Sequence, residues 1–345
     1  MADEPKPDTA NARAPGSRRT LILRWVLRLI GPVILAVVLL RLPQPSKLWD
    51  LVKSVHGLPL AAALLLNVAP LYLKGLRWTL QLRTRGIDYP TRRSVVSLGA
   101  SLYLGMLTPG RVGDVVRVQY LRHEANVPYA EGLASIVLDR LMDLYVLAGF
   151  VSIAVAHYGT KLDERLRVVS WVMVGATLVL PVVLFIPGLA ERVLRVVYRR
   201  MSKEASDSGW PRFLEGVRSA ARGALLPCLL LTVAAFAVGY VQGYLAARAM
   251  GLELSLYECT CLIAVQSFMG LLPISVSGVG VREAFYAAVF PAIGFSAEQG
   301  TAFGLLVFFV VYVALVGVGA VAWQVRPPPT GPVGGASLAA PPDTD

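Results

Sequence analysis

The amino-acid sequence predicts an all-α polytopic membrane protein, with about six spanning helices and two re-entrant helical hairpins arranged as an inverted repeat. Three observations indicate this fold class. Apolar residues make up 55% of the 345 residues, the mean hydropathy is +0.60 and only 16% of residues are charged. Six apolar segments approach the roughly 20 residues that a helix needs to cross a hydrocarbon core. Two further apolar segments are each interrupted by proline and glycine.

The first of the six spans begins after a run of arginines, as a secretory signal peptide would. No small-residue cleavage site follows it, so we expect it to remain as an anchor. A single transmembrane domain is therefore predicted over residues 21–326. The tails, 1–20 and 327–345, are rich in Pro, Ala, Gly and Asp and are predicted to be disordered. The predicted spans lie near residues 25–40, 58–80, 133–156, 168–187, 224–247 and 301–324.

The two interrupted segments are predicted to form the hairpins, with breaks at Pro109 and Pro273. At membrane depth such breaks are tolerated only where the freed backbone groups are buried in protein or line a water-filled cavity. Paired breaks in corresponding halves of a chain indicate the substrate site of a transporter. The limbs of the hairpins are predicted over 94–108 and 112–122 in the first half, and over 256–274 and 280–291 in the second half.

The orientation of the chain in the membrane is predicted from the distribution of Lys and Arg, because these residues concentrate in cytoplasmic loops. The predicted inner segments hold 24 of these residues and the outer segments hold 7. This distribution predicts a protein of the cytoplasmic (inner) membrane with both termini in the cytoplasm. It also makes the hairpins enter from opposite sides, so that the halves, about 21–156 and 168–325, form an inverted repeat. The same pattern explains the net charge of +11 without a nucleic-acid partner.

Ionisable residues inside the predicted membrane region are the candidates for a functional site, because a charge at the bilayer centre costs at least about 2.5–3.5 kcal/mol. Asp114 and Arg117 are three residues apart and share a helix face. Asp139 and Asp143 also share a face, and Arg140 can reach Asp143. The candidates for binding a lipid headgroup are Arg111, Asp114, Arg117, Asp139, Arg140, Asp143, Arg282 and Glu283.

The eight candidate charges sum to zero, which leaves two interpretations open. One is a structural network of salt bridges that holds the broken helices together. The other is that one or two arginines are only partly neutralised and bind a phosphate, which suits the planar and permanently charged guanidinium. The carboxylates could instead carry a proton that drives transport.

Small and polar residues around the two breaks are predicted to act as hinges or as hydrogen-bonding groups. Half-helix N-termini after the breaks would add free N–H groups and positive dipole ends. The supporting residues are Pro109, Gly110, Gly113, Gln266, Pro273, Ser275, Ser277, Gly278 and Gly280. No cofactor or metal is predicted, because the chain has no nucleotide-binding glycine pattern and no Cys or His spacing typical of metal ligands.

Three motifs resemble those of flippase-like membrane proteins related to the flippase region of lysylphosphatidylglycerol synthase. They are Leu107–Arg117, Asp139–Asp143 and Leu272–Glu283, and the resemblance covers most of residues 20–325. Asp139 stands where glutamate is more often expected. The resemblance implies movement of aminoacylated phosphatidylglycerol or polyprenyl-linked lipids between leaflets. It implies headgroup-path roles for Arg111, Asp114, Arg140, Arg282 and Glu283.

The leading hypothesis is a lipid flippase or transporter whose partners are membrane lipids. It moves a phospholipid or polyprenyl-type lipid with an anionic or zwitterionic headgroup between leaflets. A second hypothesis is a non-transporting scaffold or regulator of a lipid or glycan biosynthetic enzyme. A third, a membrane-embedded lipid-modifying enzyme, ranks last because no nucleophile with an adjacent base is visible. We therefore expect that the chain is not an enzyme.

Overall fold

A computed structural model describes residues 33–44, 46–107, 113–158, 209–270 and 278–329, together with single positions between 164 and 198. The described residues are almost entirely helical and contain no strand, which confirms the all-α prediction for this part of the chain. The predicted span 168–187, most of the span 25–40 and the two tails lie outside the described residues, apart from a few positions. The count of six spans and the domain boundaries remain predictions.

Three helical stretches in the described part are long and apolar enough to cross a membrane: 57–83, 225–249 and 297–325. They coincide with the predicted spans 58–80, 224–247 and 301–324. The predicted span 133–156 lies within one continuous helix, Tyr129–Tyr158. Large apolar side chains on these stretches are exposed, among them Leu65 and Leu226. A surface of this kind is typical of helices that face lipid.

The first half of the protein places two short helices between two long ones. Before it, α1 is described over residues 33–41 and α2 covers Ser46–Lys53. The half itself consists of α3 (Gly57–Leu65), α4 (Val68–Arg83), α5 (Thr91–Leu107), α6 (Asp114–Ala125) and α7 (Tyr129–Tyr158).

The second half repeats this order after a surface helix, α8 (Trp210–Gly223). It consists of α9 (Leu225–Ala249), α10 (Leu256–Met269), α11 (Val281–Val289), a 3-10 turn (Phe290–Ile293), α12 (Ala297–Val307), a π-helical segment (Phe308–Val313) and α13 (Ala314–Val325). The predicted hairpins correspond to α5 with α6 and to α10 with α11. Both breaks, 108–112 and 271–277, lie outside the described residues.

The two halves exchange contacts reciprocally. Helix α4 of the first half packs on α9 of the second half. Helix α5 packs along α13, and α10 packs along α7, so the first hairpin helix of each half contacts the last long helix of the other. A site between the halves is therefore lined by helices of both.

Small residues allow the closest of these contacts. A Cβ atom on Gly319 of α13 would lie 2.7 Å from the backbone oxygen of Gly99 in α5. A Cβ atom on Gly113 would lie 2.2 Å from the backbone nitrogen of Gly105, so α5 and α6 meet at the first break with no room for a side chain. Membrane helices commonly associate through such small residues, because lipid offers little hydrophobic force for association.

A polar junction joins the end of the last long helix to the first hairpin. Glu124 of α6 accepts a hydrogen bond from Tyr89 at 2.9 Å and pairs with Arg326 at 2.6 Å. Burial raises the pKa of the Tyr89 hydroxyl, so this group stays protonated and acts as a donor to the carboxylate. The junction ties the end of the second half to the first half.

Candidate functional site

The charged network of the site is built on α4, α6 and α7. Asp139 and Asp143 lie one turn apart on α7 and face Arg77 of α4. Arg77 Nη2 lies 3.1 Å from Asp139 Oδ1, and its Nη1 lies 2.7 Å from Asp143 Oδ1. Lys74, one turn before Arg77, places its Nζ 3.0 Å from Asp143 Oδ2. Two adjacent turns of α4 are thus cross-linked to two adjacent turns of α7.

Helix α6 adds Asp114 and Arg117 to the same network. Arg117 Nη1 donates to Asp139 Oδ2 at 2.6 Å. Asp114 accepts from Arg140, at 2.9 Å from Nε and 2.5 Å from Nη2. Arg140 Nη1 also lies 3.7 Å from Asp143 Oδ2. These contacts confirm the predicted proximity of Asp114 to Arg117 and of Arg140 to Asp143, and they pack the return limb of the first hairpin against α7.

The network has two members that the sequence interpretation assigned elsewhere. Lys74 and Arg77 are among the 24 Lys and Arg residues counted in the predicted inner segments, but both lie inside the 57–83 stretch, and Arg77 is 1% exposed. That assignment is corrected. A usable signal was present, since both residues lie within the predicted span 58–80 and are three apart, which places them on one face of a helix.

The candidates that the structure describes do not form one cluster, although the eight charges sum to zero. Five of them, Asp114, Arg117, Asp139, Arg140 and Asp143, lie in the network with Lys74 and Arg77. Among the described residues, this network therefore contains four cations and three carboxylates, a surplus of one positive charge. Arg111 lies outside the described residues.

Arg282 and Glu283 form a separate pair at the start of α11. Glu283 accepts from Arg282 Nε at 3.0 Å and from the backbone nitrogen of Gly280 at 2.6 Å. The carboxylate thereby caps the helix, and Gly280 has φ +82°, a left-handed conformation that favours glycine. Gly278 has φ +73°. The buried capping contact gives Glu283 a structural role at the second break.

The Arg282 guanidinium is enclosed by aromatic rings. It lies 4.5 Å from the ring centroid of Phe308 and 5.2 Å from that of Tyr312, both in the π-helical segment. The side chain is fully buried, and its Nη1 and Nη2 contact no hydrogen-bond acceptor among the described residues. Cation–π attraction compensates in part for these missing hydrogen bonds.

A cavity of about 500 Å³ lies between the halves, next to the charged network. Its wall comes from the first two turns of α4, the middle turns of α7, α9 and the 297–325 stretch, and the second halves of α5 and α10. The polar side chains on this wall are Asn67, Lys74, Arg140, Asp143, Gln242, Gln266, Ser267, Tyr240 and Tyr312. The volume falls within the roughly 300–1,000 Å³ typical of small-molecule sites.

Two of the four cations of the network, Lys74 and Arg140, line the cavity and are more exposed than its carboxylates. The side chains of Lys74 and Arg140 are 30% and 38% exposed, against 15% for Asp143 and 11% for Asp114. Asp139 is 4% exposed. The arrangement can therefore present positive charge to a ligand while the carboxylates hold the cations in place from behind.

The predicted supporting residues have different positions. Gln266 lines the cavity, whereas Gly113 lies at the close α5–α6 contact and Gly278 and Gly280 lie before α11. The cavity residues Asn67, Gln242 and Tyr312 were missed, because single amides and tyrosines in apolar helices carry no recognisable spacing. The supporting candidates Pro109, Gly110, Pro273, Ser275 and Ser277 lie outside the described residues.

Potential metal ligands do not assemble in the part of the chain that the structure describes. No group of three or more His, Cys, Asp or Glu residues could hold a metal ion there. Cys228, Cys259 and Cys261 are buried free thiols. The polar chemistry of this cavity therefore comes from ammonium, guanidinium, carboxylate, amide and hydroxyl groups.

The fold and the site together define an all-α, multi-pass membrane protein with a polar cavity between helices of its first and second halves. Residues 27–319 match the family described as the lysylphosphatidylglycerol synthase TM region. The chain belongs to this family, as the motif resemblance predicts.

Three curated relatives are similar to the chain at low identity. A glycosyltransferase, AglD, of Haloferax volcanii is 22% identical over 313 residues, which are 80% of this chain and 50% of that protein. A UPF0104 membrane protein of Methanocaldococcus jannaschii is 21% identical over 65% of this chain and 94% of its own length. A second UPF0104 membrane protein, of Methanothermobacter thermautotrophicus, is 21% identical over 76% of this chain and 81% of its own length. The chain spans about half the length of the glycosyltransferase.

Proposed function

We propose that the protein is a flippase or transporter that moves a phospholipid or polyprenyl-type lipid between the leaflets of the cytoplasmic membrane. The cavity holds the headgroup, and the apolar tail stays in the bilayer. The observation that carries this proposal is the exposure of Lys74 and Arg140 to a cavity of about 500 Å³ at the middle of the long helices. Cations at membrane depth are costly and typically mark the path of a polar substrate.

The repeated architecture supports alternating access as the mechanism. Each half consists of a long helical stretch, two shorter helices around a break, and a second long stretch. The reciprocal contacts of α5 with α13 and of α10 with α7 are those expected of two halves related by a two-fold axis. With both termini in the cytoplasm, the repeat is inverted, and one half rocks against the other around the cavity.

The family and the relatives favour a role in lipid or glycan metabolism. The description of the family names a lipid synthase, and one relative is named a glycosyltransferase. One name refers to the synthesis of a lipid and the other to the transfer of a sugar. In this proposal the chain moves the lipid and does not synthesise it.

A flippase assay in reconstituted vesicles tests the proposal. A phospholipid labelled on one acyl chain is distributed across both leaflets, and a membrane-impermeant reductant bleaches the outer pool. We expect the wild type to expose the inner pool, and Arg140→Gln to slow this exposure roughly tenfold, since a hydrogen bond to a charged group contributes about 1.5–3 kcal/mol. Arg212→Gln, on the exposed face of α8, is the matched control. Equal rates in protein-free and wild-type vesicles would refute transport.

The second candidate is a scaffold or regulator of a lipid or glycan biosynthetic enzyme. The observation that favours it is the alignment with half of a glycosyltransferase, since a separate chain can supply the remaining part. This candidate predicts an enzyme that co-purifies at fixed stoichiometry and no lipid movement by the isolated protein. Affinity purification in mild detergent, followed by the vesicle assay on the same sample, distinguishes the two.

A further inference from the structure

The cavity wall combines surplus positive charge with neutral amides, and this combination selects among lipid headgroups. Building on the proposed function, we infer that the preferred substrate has one anionic phosphodiester and an uncharged, hydroxyl-bearing headgroup, such as a glycerol or a sugar, and that headgroups bearing an ammonium group are excluded. This names the substrate class more narrowly than a phospholipid or polyprenyl-type lipid.

The phosphodiester is assigned to the side of the cavity formed by α4 and α7. Lys74 Nζ and the Arg140 guanidinium both face the cavity there and share Asp143 between them. The surplus of one positive charge in the network matches a single phosphodiester charge. A ligand with one negative charge would make the site neutral, which reduces the cost of holding charges at membrane depth.

A cationic headgroup would need a carboxylate that neighbouring cations do not already neutralise, and no described residue of the cavity wall provides one. Among the described residues around the cavity, Asp143 is the only carboxylate. It already contacts three cations, Lys74 at 3.0 Å, Arg77 at 2.7 Å and Arg140 at 3.7 Å. An added ammonium group would therefore meet cations whose counter-charge is already shared.

Two of the three aromatic rings on the described cavity wall already contact a cation, and the third, Tyr240, packs edge-on against Phe150. Lys74 Nζ lies 5.4 Å from the ring centroid of Phe236, and Arg282 lies 5.2 Å from that of Tyr312. Both rings line the cavity. Because recognition of ammonium by aromatic cages depends on unoccupied ring faces, these two rings are poor partners for a further cation.

Amides supply the hydroxyl-binding side of the cavity. Asn67 Nδ2 donates to the backbone oxygen of Val310 at 2.9 Å, and Gln242 Nε2 donates to that of Ala63 at 3.0 Å. These bonds hold the two amides on the cavity wall, where an amide oxygen is the group that can accept a hydrogen bond from a ligand hydroxyl. Gln266 adds a third amide. Hydroxyl groups can donate to these oxygens without adding charge to a site that already has surplus cations.

A competition experiment on the purified full-length protein tests this inference. Fluorescent phosphatidylglycerol is displaced by unlabelled phosphatidylglycerol, lysyl-phosphatidylglycerol, phosphatidylethanolamine and a polyprenyl-phosphate sugar. We expect phosphatidylglycerol or the polyprenyl-phosphate sugar to compete roughly tenfold better than the two amine-bearing lipids, because like charges brought together cost several kcal/mol. The difference between the two hydroxyl-bearing lipids identifies the source of the headgroup.

Two variants link any preference to the cavity. Lys74→Met removes the charge at similar length and should reduce the affinity for the preferred lipid roughly tenfold. Lys74→Arg is the matched control and should retain the preference for hydroxyl-bearing headgroups. A Lys74→Met variant that keeps both the wild-type affinity and the wild-type preference would overturn the assignment.

The outcomes separate the inference from the proposed function. Equal or better competition by lysyl-phosphatidylglycerol, or no headgroup preference, overturns the substrate class while transport in vesicles can still be observed. Conversely, a clear preference for hydroxyl-bearing lipids with no movement in vesicles supports the substrate class and contradicts the flippase proposal.

Discussion

The two charge sites of this protein each include residues that follow a similar sequence break, but their surroundings differ. The first-half network connects seven charged side chains on α4, α6 and α7 and borders a cavity. The second-half pair, Arg282 with Glu283, is fully buried against the aromatic rings of Phe308 and Tyr312. Lys74 and Arg140 of the network remain about a third exposed.

The difference shows that a charge next to a helix break can serve two purposes. In the second half the carboxylate caps α11 and neutralises one arginine, so the pair holds the backbone in place. In the first half the carboxylates arrange cations whose exposed faces are available to a ligand. Substitutions should therefore affect stability in one site and lipid handling in the other.

The largest expected effect on stability comes from Glu283→Ala. The change leaves Arg282 buried without a counter-charge and removes the acceptor of the Gly280 N–H. Breaking a buried pair in this way costs about 3–5 kcal/mol. We expect a lower Tm or loss of the monodisperse peak in fluorescence-detected size-exclusion chromatography. Glu215→Ala, exposed on α8, is the control, and an unchanged Tm for Glu283→Ala would contradict the structural role of the pair.

Asp139→Asn should destabilise the protein by a smaller amount, about 3 kcal/mol. Asp139 pairs with both Arg77 and Arg117, but Arg77 keeps its 2.7 Å contact with Asp143. Thermal unfolding in detergent measures the effect. If Asp139→Asn is less stable than Glu283→Ala, the first-half network contributes more to stability than the second-half pair. That result would reverse the comparison between the two sites.

Tyr312→Ala tests the separation of the two sites. The ring lines the cavity and covers Arg282, so its removal should connect the cavity to this arginine. We expect a stability loss of about 2 kcal/mol, below that for fully buried aromatic residues because Tyr312 is only partly buried.

The affinity of the Tyr312→Ala variant for anionic lipid should rise, since a second guanidinium becomes reachable. Displacement of fluorescent phosphatidylglycerol measures this change. Tyr312→Phe keeps the ring and should behave as the wild type. A fall in affinity with Tyr312→Ala would mean that the tyrosine itself contacts the ligand and that Arg282 stays inaccessible.

Lys74→Met should have the smallest effect on stability, below about 1 kcal/mol, because Lys74 is partly exposed and Asp143 retains Arg77. The loss should appear in lipid movement, with vesicle transport slowed roughly tenfold. Stability and transport measured on the same preparation distinguish a role of Lys74 in lipid transport from a structural role. A large fall in Tm with proportionate loss of transport would place Lys74 among the structural charges.

The sequence predicted the features that depend on local periodicity. Apolar runs of sufficient length marked 57–83, 225–249 and 297–325 as membrane-crossing stretches. Helical spacing alone placed Asp114 beside Arg117 and Arg140 beside Asp143, as the structure has them. These relations could be read from the chain because they lie within one helix.

The distribution of charges between helices could not be predicted in the same way. Lys74 and Arg77 near a helix end resemble ordinary cytoplasmic charges, and only the packing of α4 against α7 shows that they pair with Asp139 and Asp143. The eight candidates summed to zero in the sequence, but the five that lie in the network carry two cations and three carboxylates. Lys74 and Arg77, which were not candidates, give the network its surplus of one positive charge.

The sequence by itself determined that this is an all-α, multi-pass membrane protein, and it predicted charged residues next to two helix breaks. Hydropathy and helical periodicity are sums over neighbouring residues, and they need no knowledge of the fold. The tertiary structure decided which charges face a cavity and which are enclosed by aromatic rings. The surroundings of each charge depend on which helices pack together, and the electrostatic cost of a charge is set by the partners and the solvent around it.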